Sequence, residues 1–309
     1  MIEVSNLTKL YGPRTAIDSL SFRVEEGEIV GFLGPNGAGK STTMKILTCF
    51  MSATQGEATV AGFDVFKQPL EVKKRVGYLA ENPPVYLEMQ VWDYLDFAAR
   101  LQQVESKLVK SAVDTALERT GLGDVRNRLI GNLSKGFRQR VGIAQAIVHD
   151  PKVVILDEPT VGLDPRQIIE IRDLIKSLKG SHTVILSSHI LPEVKATCDR
   201  ILIIHKGKIV AKDSIDQLTM RLHKGSILSL GVKNPNPAGL TAIEGIQGVT
   251  RLSTHGNRIN IEVTNSSDDL KSSIIDMAVR NEMGVLEFTS EGATLEDIFL
   301  ELTTEEPNA

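Results

Sequence analysis

GPNGAGKST, residues 34–42, is the stretch of sequence that decides the fold. Two glycines stand five positions apart, and a lysine and a serine follow, which is the spacing typical of a loop that binds phosphate groups. Glycine lets consecutive backbone N–H groups point at phosphate oxygens, and the start of a following helix adds partial positive charge. The predicted phosphate-binding residues are Gly34, Pro35, Asn36, Gly37, Ala38, Gly39, Lys40, Ser41 and Thr42.

The residues around this loop predict a strand before it and a helix after it. Residues 29–33 are apolar and read as a buried strand, and residues 41–50 contain good helix formers without a breaker. In such a loop the ammonium group of Lys40 neutralises the β- and γ-phosphates, and the hydroxyl of Ser41 coordinates Mg²⁺.

A second apolar strand supplies carboxylates. Residues 153–156 are apolar, and Asp157 and Glu158 follow directly. A buried strand that ends in aspartate presents the carboxylate at the carboxyl edge of a parallel sheet, where the phosphate loop also lies. We therefore expect Asp157 to hold Mg²⁺ and Glu158 to orient or deprotonate the attacking water.

The remaining pattern of residues 152–204 favours a parallel sheet. Short apolar strands are predicted over 183–187 and 201–204, and Asp164 caps a helix that begins with proline. Strands that alternate with amphipathic helices place the helices outside a parallel sheet. Residues 86–149 lack strand patterning and are predicted to be helical, with four residues packing inside: Trp92, Tyr94, Leu95 and Phe97.

A different unit is predicted beyond residue 220. Residues 233–239 read as a loop, residues 254–257 as a hairpin turn, and Ile259, Ile261 and Val263 alternate as in a half-buried strand. A helical stripe follows residues 266–268. The predicted order is strand, helix, strand, strand, helix, strand, a small α+β unit.

Composition and charge exclude several classes of protein. The 309 residues are 41% hydrophobic and 24% charged, which is ordinary for a globular protein. The net charge is −4, and residues 221–309 carry 7 bases against 13 acids, so a general nucleic-acid binder is not expected. No run approaches 18 apolar residues. The two cysteines, Cys49 and Cys198, exclude a disulfide scaffold and a zinc ribbon, and they favour a reducing cytoplasm.

These motifs together resemble those of the ATP-binding-cassette (ABC) ATPases over about residues 2–215. LSKGFRQR, residues 133–140, is similar to the signature segment of that family. It departs from the commonest form at Lys135, where the family has glycine, and at Phe137, where it has glutamine. The resemblance implies that Ser134 and Gly136 contact the γ-phosphate of ATP bound to a second copy of the chain. Ser134 also suits an ordinary helix N-cap.

Four further residues match family positions one at a time. Tyr11 stands where the family stacks an aromatic ring on adenine, although a lone tyrosine is otherwise a core or surface residue. Asp164, in Gly162-Leu-Asp, resembles the loop that communicates across the dimer. His189 matches the histidine that contacts the γ-phosphate, although a histidine is otherwise a satisfied polar residue. Glu81 replaces the glutamine that the family offers to Mg²⁺ and the water, and a carboxylate still suits Mg²⁺.

The resemblance implies a P-loop NTPase fold of the α/β class. Its RecA-like parallel core carries an antiparallel β-subdomain and a helical subdomain at about residues 86–150. We expect an ATPase domain at residues 1–220 and an accessory α+β domain at residues 221–309. The implied catalytic residues are Glu158, His189 and Glu81, the implied metal-binding residues are Ser41, Asp157 and Glu81, and two copies are expected to close around two ATP molecules.

The subtype resembles the ABC-2 exporter ATPases. The form LSKGFRQR, Glu81 and the ending TLEDIFLELT, residues 294–303, are typical of that group. The implied function is ATP hydrolysis on the cytoplasmic face of the cell membrane, powering export through a separate permease that spans the membrane, with no nucleic-acid partner. Alternatives are a soluble ABC ATPase acting on ribosomes or DNA, and a phosphate-loop kinase or GTPase. A kinase or GTPase would leave Glu158 and His189 unexplained, and no guanine-reading Asn-Lys-x-Asp motif occurs in the sequence.

Overall fold

The computed structural model of the chain describes residues 1–214, 217, 226–264 and 267–291. The chain divides into two compact units, Met1–Asp213 and Ser214–Ala309. The predicted domain boundary after residue 220 and the ending at residues 294–303 lie outside the described residues. Each unit is described by itself below.

The first unit contains two sheets. Its strands are β1 (Ile2–Tyr11), β2 (Arg14–Val24), β3 (Ile29–Leu33), β4 (Gln55–Val60), β5 (Phe63–Asp64), β6 (Val76–Leu79), β7 (Val153–Asp157), β8 (Thr183–Ser188), β9 (Arg200–His205) and β10 (Lys208–Ser214). One sheet has the order β2-β1-β4-β5 and is antiparallel. The other has the order β10-β9-β3-β8-β7-β6, and its pairs from β9 to β6 are parallel.

Seven helices of the first unit surround these sheets within the part of the chain that is described. They are α1 (Lys40–Leu47), α2 (Pro69–Lys73), α3 (Val91–Leu101), α4 (Val109–Thr120), α5 (Lys135–Ile147), α6 (Pro165–Ser177) and α7 (Leu191–Thr197). Across residues 1–214, 226–264 and 267–291, no helix has the length and apolar character that a membrane span requires.

The central strands of the parallel sheet are buried on both faces. Every residue of β3, β7 and β8 is buried, which explains their continuous apolar sequences. Because parallel strands end at the same edge, the loops after β3, β7 and β8 meet at one edge of the sheet. The antiparallel sheet shares a core with α1 and β3, where the rings of Phe22 and Phe32 lie 5.7 Å apart.

Residues 86–149 contain three α-helices and no strand, as predicted, but the expectation that Phe97 packs inside is wrong. Tyr94 and Leu95 are buried, Trp92 is half-buried, and Phe97 is 42% exposed. The helical repeat explains this: the inward face of α3 carries residues 91, 94, 95, 98 and 99, and position 97 falls on the opposite side. There its ring lies 5.8 Å from that of Tyr86.

The second unit has the predicted order of strands and helices. Its elements are β11 (Ser226–Val232), α8 (Pro237–Glu244), β12 (Val249–His255), β13 (Arg258–Val263), α9 (Asp268–Arg280) and β14 (Val285–Glu291). The strands form an antiparallel sheet with the order β12-β13-β11-β14. The side chains of Asn236 and Ser267 cap α8 and α9, which fixes where each helix begins.

Candidate active site

A cavity of about 500 Å³ opens at the carboxyl edge of the parallel sheet. It contains residues from the β1–β2 hairpin, the loop after β3, and the loops after β6, β7 and β8. The lining residues are Tyr11, Arg14, Ala16, Asn36, Gly37, Gly39, Lys40, Ser41, Thr42, Glu81, Glu158, Val161 and His189.

The loop between β3 and α1 needs its glycines. Gly37 and Gly39 have φ angles of +79° and +110°, in the region that side chains disfavour. A Cβ atom on Gly39 would lie 2.7 Å from the carbonyl oxygen of Ala16, and one on Gly34 would lie 2.3 Å from that of Ile204. The tight packing of this loop against β2 and β9 therefore fixes its shape.

Lys40 joins the loop to Glu158. Its Nζ donates to the carbonyl oxygens of Gly34 at 2.8 Å and Pro35 at 3.3 Å, and it forms an ion pair with Oε1 of Glu158 at 3.1 Å. The two side chains are only 5% and 8% exposed. The ammonium group is thus held at the floor of the cavity, facing a carboxylate.

Asp157 lies beside Ser41 at the end of β7. Its Oδ1 accepts hydrogen bonds from Ser41 Oγ at 3.1 Å and from Ser187 Oγ at 2.6 Å, and the residue is 2% exposed. Burial, together with the charges of Asp157 and Glu81, raises the pKa of the Tyr78 hydroxyl to about 12. The carboxylates of Asp157 and Glu81 are therefore close enough to Tyr78 to oppose its ionisation.

This donor set fits Mg²⁺. Among the described residues no cluster of three or more His, Cys, Asp or Glu side chains could hold a metal ion. Mg²⁺ that binds with a nucleotide does not need such a cluster, because it takes one or two protein oxygens and completes its shell with phosphate oxygens and water. One hydroxyl and one carboxylate, from Ser41 and Asp157, meet that requirement.

Glu158 is held in place from three sides. Its Oε2 lies 2.9 Å from Nδ1 of His189, its Oε1 pairs with Lys40, and its backbone N–H donates to Ser187 Oγ at 2.9 Å. Its φ angle is +49°, which is unusual for a residue with a side chain. Such strained backbone persists where the surroundings enforce it, as they do at active sites.

Two other predicted residues lie on the cavity wall. Tyr11 is 45% exposed and lines the cavity, and the Lys9 ammonium lies 5.4 Å from the centroid of its ring. Glu81 is exposed and lies two residues beyond the end of β6. Its carboxylate makes no ion pair within the described part of the chain.

The three residues predicted to act between two copies of the chain belong neither to the phosphate loop nor to the cavity lining. Ser134 caps α5 by accepting from the N–H of Phe137 at 3.3 Å, and Asp164 caps α6 by accepting from that of Gln167 at 3.0 Å. Gly136 packs so closely on Gln167 that a Cβ atom would lie 2.5 Å from its Cδ. The structure therefore places Ser134, Gly136 and Asp164 next to one another and apart from the phosphate loop of the same chain.

Sequence reasoning missed three lining residues: Arg14, Ala16 and Val161. Arg14 could have been predicted from the sequence. It lies three residues after Tyr11, and a two-residue turn places it opposite that tyrosine. Val161 lies in the turn after Glu158, where its N–H donates to the Glu158 carbonyl.

Comparison with known proteins agrees with this geometry. The family model described as ABC transporter matches residues 17–161. The ABC transporter ATP-binding protein YhcH of Bacillus subtilis is 35% identical over 99% of this chain and 96% of its own length. The bacitracin transport ATP-binding protein BcrA of Bacillus licheniformis is 35% identical over 98% of this chain and 97% of its own length.

A solved structure of an ATP-binding subunit of an ABC transporter superposes with a TM-score of 0.65 at 29% identity, covering 72% of this chain and 92% of that one. Both the whole-length relatives and the shared cassette structure confirm the resemblance drawn from the motifs. The chain therefore belongs to the family of ABC transporter ATP-binding proteins, which hydrolyse ATP.

Proposed function

We propose that this chain powers export through a separate membrane permease of the ABC-2 type, as a homodimer on the cytoplasmic face of the cell membrane. The observation that carries the catalytic part is the contact of Glu158 with both Lys40 and His189, beside the Ser41–Asp157 pair. The export part is supported by a relative named for bacitracin transport, which aligns over both units of this chain.

Each group has a role in the hydrolysis that we propose. The loop N–H groups and Lys40 hold the triphosphate, so phosphate oxygens replace Glu158 at the ammonium group. The freed carboxylate accepts a proton from water, whose oxygen attacks the γ-phosphorus. The bond from that phosphorus to the β,γ-bridging oxygen breaks, and ADP leaves with phosphate. His189, bonded to Glu158 through Nδ1, orients the carboxylate and contacts the γ-phosphate.

Mg²⁺ would be held by Ser41 and Asp157, with Glu81 as a third ligand, and would offset the phosphate charge. Of these three ligands, Glu81 lies after β6, in the segment that leads into the helical subdomain. It would therefore connect that segment to the active site. Tyr11 would stack on adenine with the ring face opposite Lys9.

The proposed homodimer is supported by Ser134, Gly136 and Asp164, which lie outside the cavity. Ser134 is exposed at the start of α5, a 13-residue helix whose first N–H groups suit an anion. We infer that Ser134 and Gly136 reach the γ-phosphate bound to the other copy, and that Asp164 lies at the same interface. This arrangement makes ATP part of the contact between the two copies.

A groove on the first unit is the proposed docking surface for the permease. Three large apolar side chains line it while remaining mostly exposed: Phe50 at 73%, Leu70 at 71% and Leu101 at 70%. Exposed apolar residues that cluster in this way mark interaction sites. We propose that the groove, which lies between the end of α1, α2 and the end of α3, receives cytoplasmic helices of the permease.

The test uses tagged Glu158→Gln protein expressed in its native cells. The variant should bind ATP without hydrolysing it and so hold the assembly together. Membranes are solubilised with ATP and Mg²⁺, the tag is captured, and the co-purified proteins are identified by mass spectrometry. A stoichiometric protein with several membrane spans is expected. Recovery from the soluble fraction with ribosomal or DNA-bound proteins would overturn the export proposal.

A matched pair of variants tests the docking groove. Adding Leu101→Ser to the tagged protein should reduce recovery of the membrane protein while leaving ATP affinity unchanged. The control is Leu286→Ser, which changes a side chain of similar exposure, 61%, in the second unit. Equal recovery with both variants would place the permease contact elsewhere.

A further inference from the structure

We propose that Arg14 is a further nucleotide-binding residue, which holds the α-phosphate of ATP. The proposal rests on the proposed hydrolysis of ATP in the same cavity. Arg14 begins β2, and it pairs across the hairpin with Tyr11. It lines the cavity, and its Nη2 lies 3.8 Å from the position that a Cβ atom would take on Gly37 at the tip of the phosphate loop.

The charges of the cavity favour this role. The lining holds two cations, Arg14 and Lys40, and two anions, Glu81 and Glu158. Lys40 already faces Glu158 at 3.1 Å, whereas no ion pair of Arg14 occurs among the residues that the structure describes. A triphosphate brings several negative charges into a lining whose formal charges otherwise cancel. Arg14 is the cation available to meet them without first losing a partner.

The position of Arg14 selects one part of the nucleotide. Adenine is placed by Tyr11 at one end of the cavity, and the β- and γ-phosphates by Gly37 to Lys40 at the other. Arg14 lies between these two ends, because it pairs with Tyr11 across the hairpin and its Nη2 lies near Gly37. We therefore infer that its guanidinium group lies level with the phosphate nearest the ribose. Its planar N–H groups suit two phosphate oxygens at once.

Lys9 is excluded as the cation for this phosphate. It lies near Tyr11 as well, but its Nζ donates to the carbonyl oxygen of Ser52 at 2.7 Å and does not line the cavity. The hairpin, by contrast, fixes the backbone of Arg14 through its pair with Tyr11, and the side chain lines the cavity. Binding of the nucleotide then requires ordering of the Arg14 side chain but not of its backbone.

The test compares Arg14→Gln with the wild-type protein by nucleotide titration with a non-hydrolysable ATP analogue, ADP and adenosine. We expect a 10- to 100-fold weaker affinity for the analogue and for ADP, because one charge-assisted hydrogen-bonded contact is lost, and an unchanged affinity for adenosine. Arg14→Lys should recover part of the loss. The control is Arg23→Gln, an exposed arginine on the same strand that pairs with Glu3 and Glu25 and should change affinity less than twofold.

Stereochemistry makes the test specific for the α-phosphate. The two diastereomers of ATP with sulfur on the α-phosphorus differ in which oxygen is replaced, so a guanidinium group bound there distinguishes them. Arg14→Gln should reduce that discrimination. Equal losses for adenosine and ATP, or unchanged discrimination, would overturn the assignment.

The Lys40→Ala variant distinguishes an error in the role of Arg14 from an error in the location of the ATP site. If Lys40→Ala weakens ATP binding and Arg14→Gln does not, only the role of Arg14 is wrong. If Lys40→Ala leaves ATP affinity unchanged, the ATP site itself is wrong.

Discussion

Replacing Glu158 with glutamine should change the protein before any ATP is hydrolysed. In the variant, Lys40 remains buried, at 5% exposure, but it no longer has a carboxylate partner. At an effective dielectric constant of 20, the attraction across 3.1 Å is about 5 kcal/mol. Removing one member of a buried pair typically destabilises a protein by about 3–5 kcal/mol. Two carbonyl oxygens still accept from Lys40, so we expect the lower end, about 3 kcal/mol.

ATP should reverse this loss. Phosphate oxygens replace Glu158 at Lys40 in the wild-type protein, and that exchange opposes binding because the ion pair must break first. Without the carboxylate, no exchange is needed, and the affinity of the variant for ATP should rise at least about tenfold, or about 1.4 kcal/mol. The nucleotide-free variant should melt roughly 6–12 °C lower than the wild-type protein. A saturating concentration of ATP should recover most of that difference.

The assay is thermal unfolding of both proteins with and without ATP and Mg²⁺, together with ATP titration and phosphate release. The control is Glu81→Gln, which removes a carboxylate from the same cavity but breaks no ion pair found in the described residues. Its nucleotide-free free energy of unfolding should stay within about 0.5 kcal/mol of that of the wild-type protein. Equal melting temperatures for wild type and Glu158→Gln without ATP, or weaker ATP binding by the variant, would refute the exchange at Lys40. Normal phosphate release would refute catalysis by Glu158.

Three predictions concern residues away from the reaction. Burial lowers the pKa of His149, so the unfolded chain takes up a proton at this histidine before the folded chain does as the pH falls below about 6.5. The free energy of unfolding in urea should therefore fall less steeply between pH 7 and 5 in His149→Gln than in the wild-type protein. An unchanged dependence on pH would contradict this. Gly77→Ala places a Cβ atom 1.9 Å from the Ala146 carbonyl oxygen and should cost at least about 1–3 kcal/mol in thermal unfolding, whereas Gly123→Ala, with nothing within 4 Å, should not. Phe97→Ser should lower stability by under about 1 kcal/mol, because its ring is 42% exposed; a larger loss would mean that it packs inside after all.

The sequence predicted correctly those elements that depend only on residues close together in the chain. The glycine spacing in GPNGAGKST predicts a loop that turns between a strand and a helix, because only glycine adopts the backbone angles of Gly37 and Gly39 without strain. Asp164 before a proline predicts the start of α6, since the aspartate accepts from the helix and the proline needs no N–H partner there.

The error at Phe97 shows where this kind of reasoning stops. Sequence alone marks the segment as helical and aromatic, but the face that turns inward depends on what the helix packs against. A shift of two positions along the helix, as from Leu95 to Phe97, moves a side chain from the core to the surface. Tyr94 and Leu95 face inward, and Phe97 therefore lies outside.

The sequence by itself thus determined that this chain binds phosphate, that Asp157 and Glu158 follow a buried strand, and which family it resembles. Only the tertiary structure decided that Glu158 contacts both Lys40 and His189, and that Arg14 lines the same cavity. Those contacts join residues that are 31 to 118 positions apart along the chain or lie on different sheets. Their distances follow from how the strands are ordered and packed, and no local pattern of side chains carries that information.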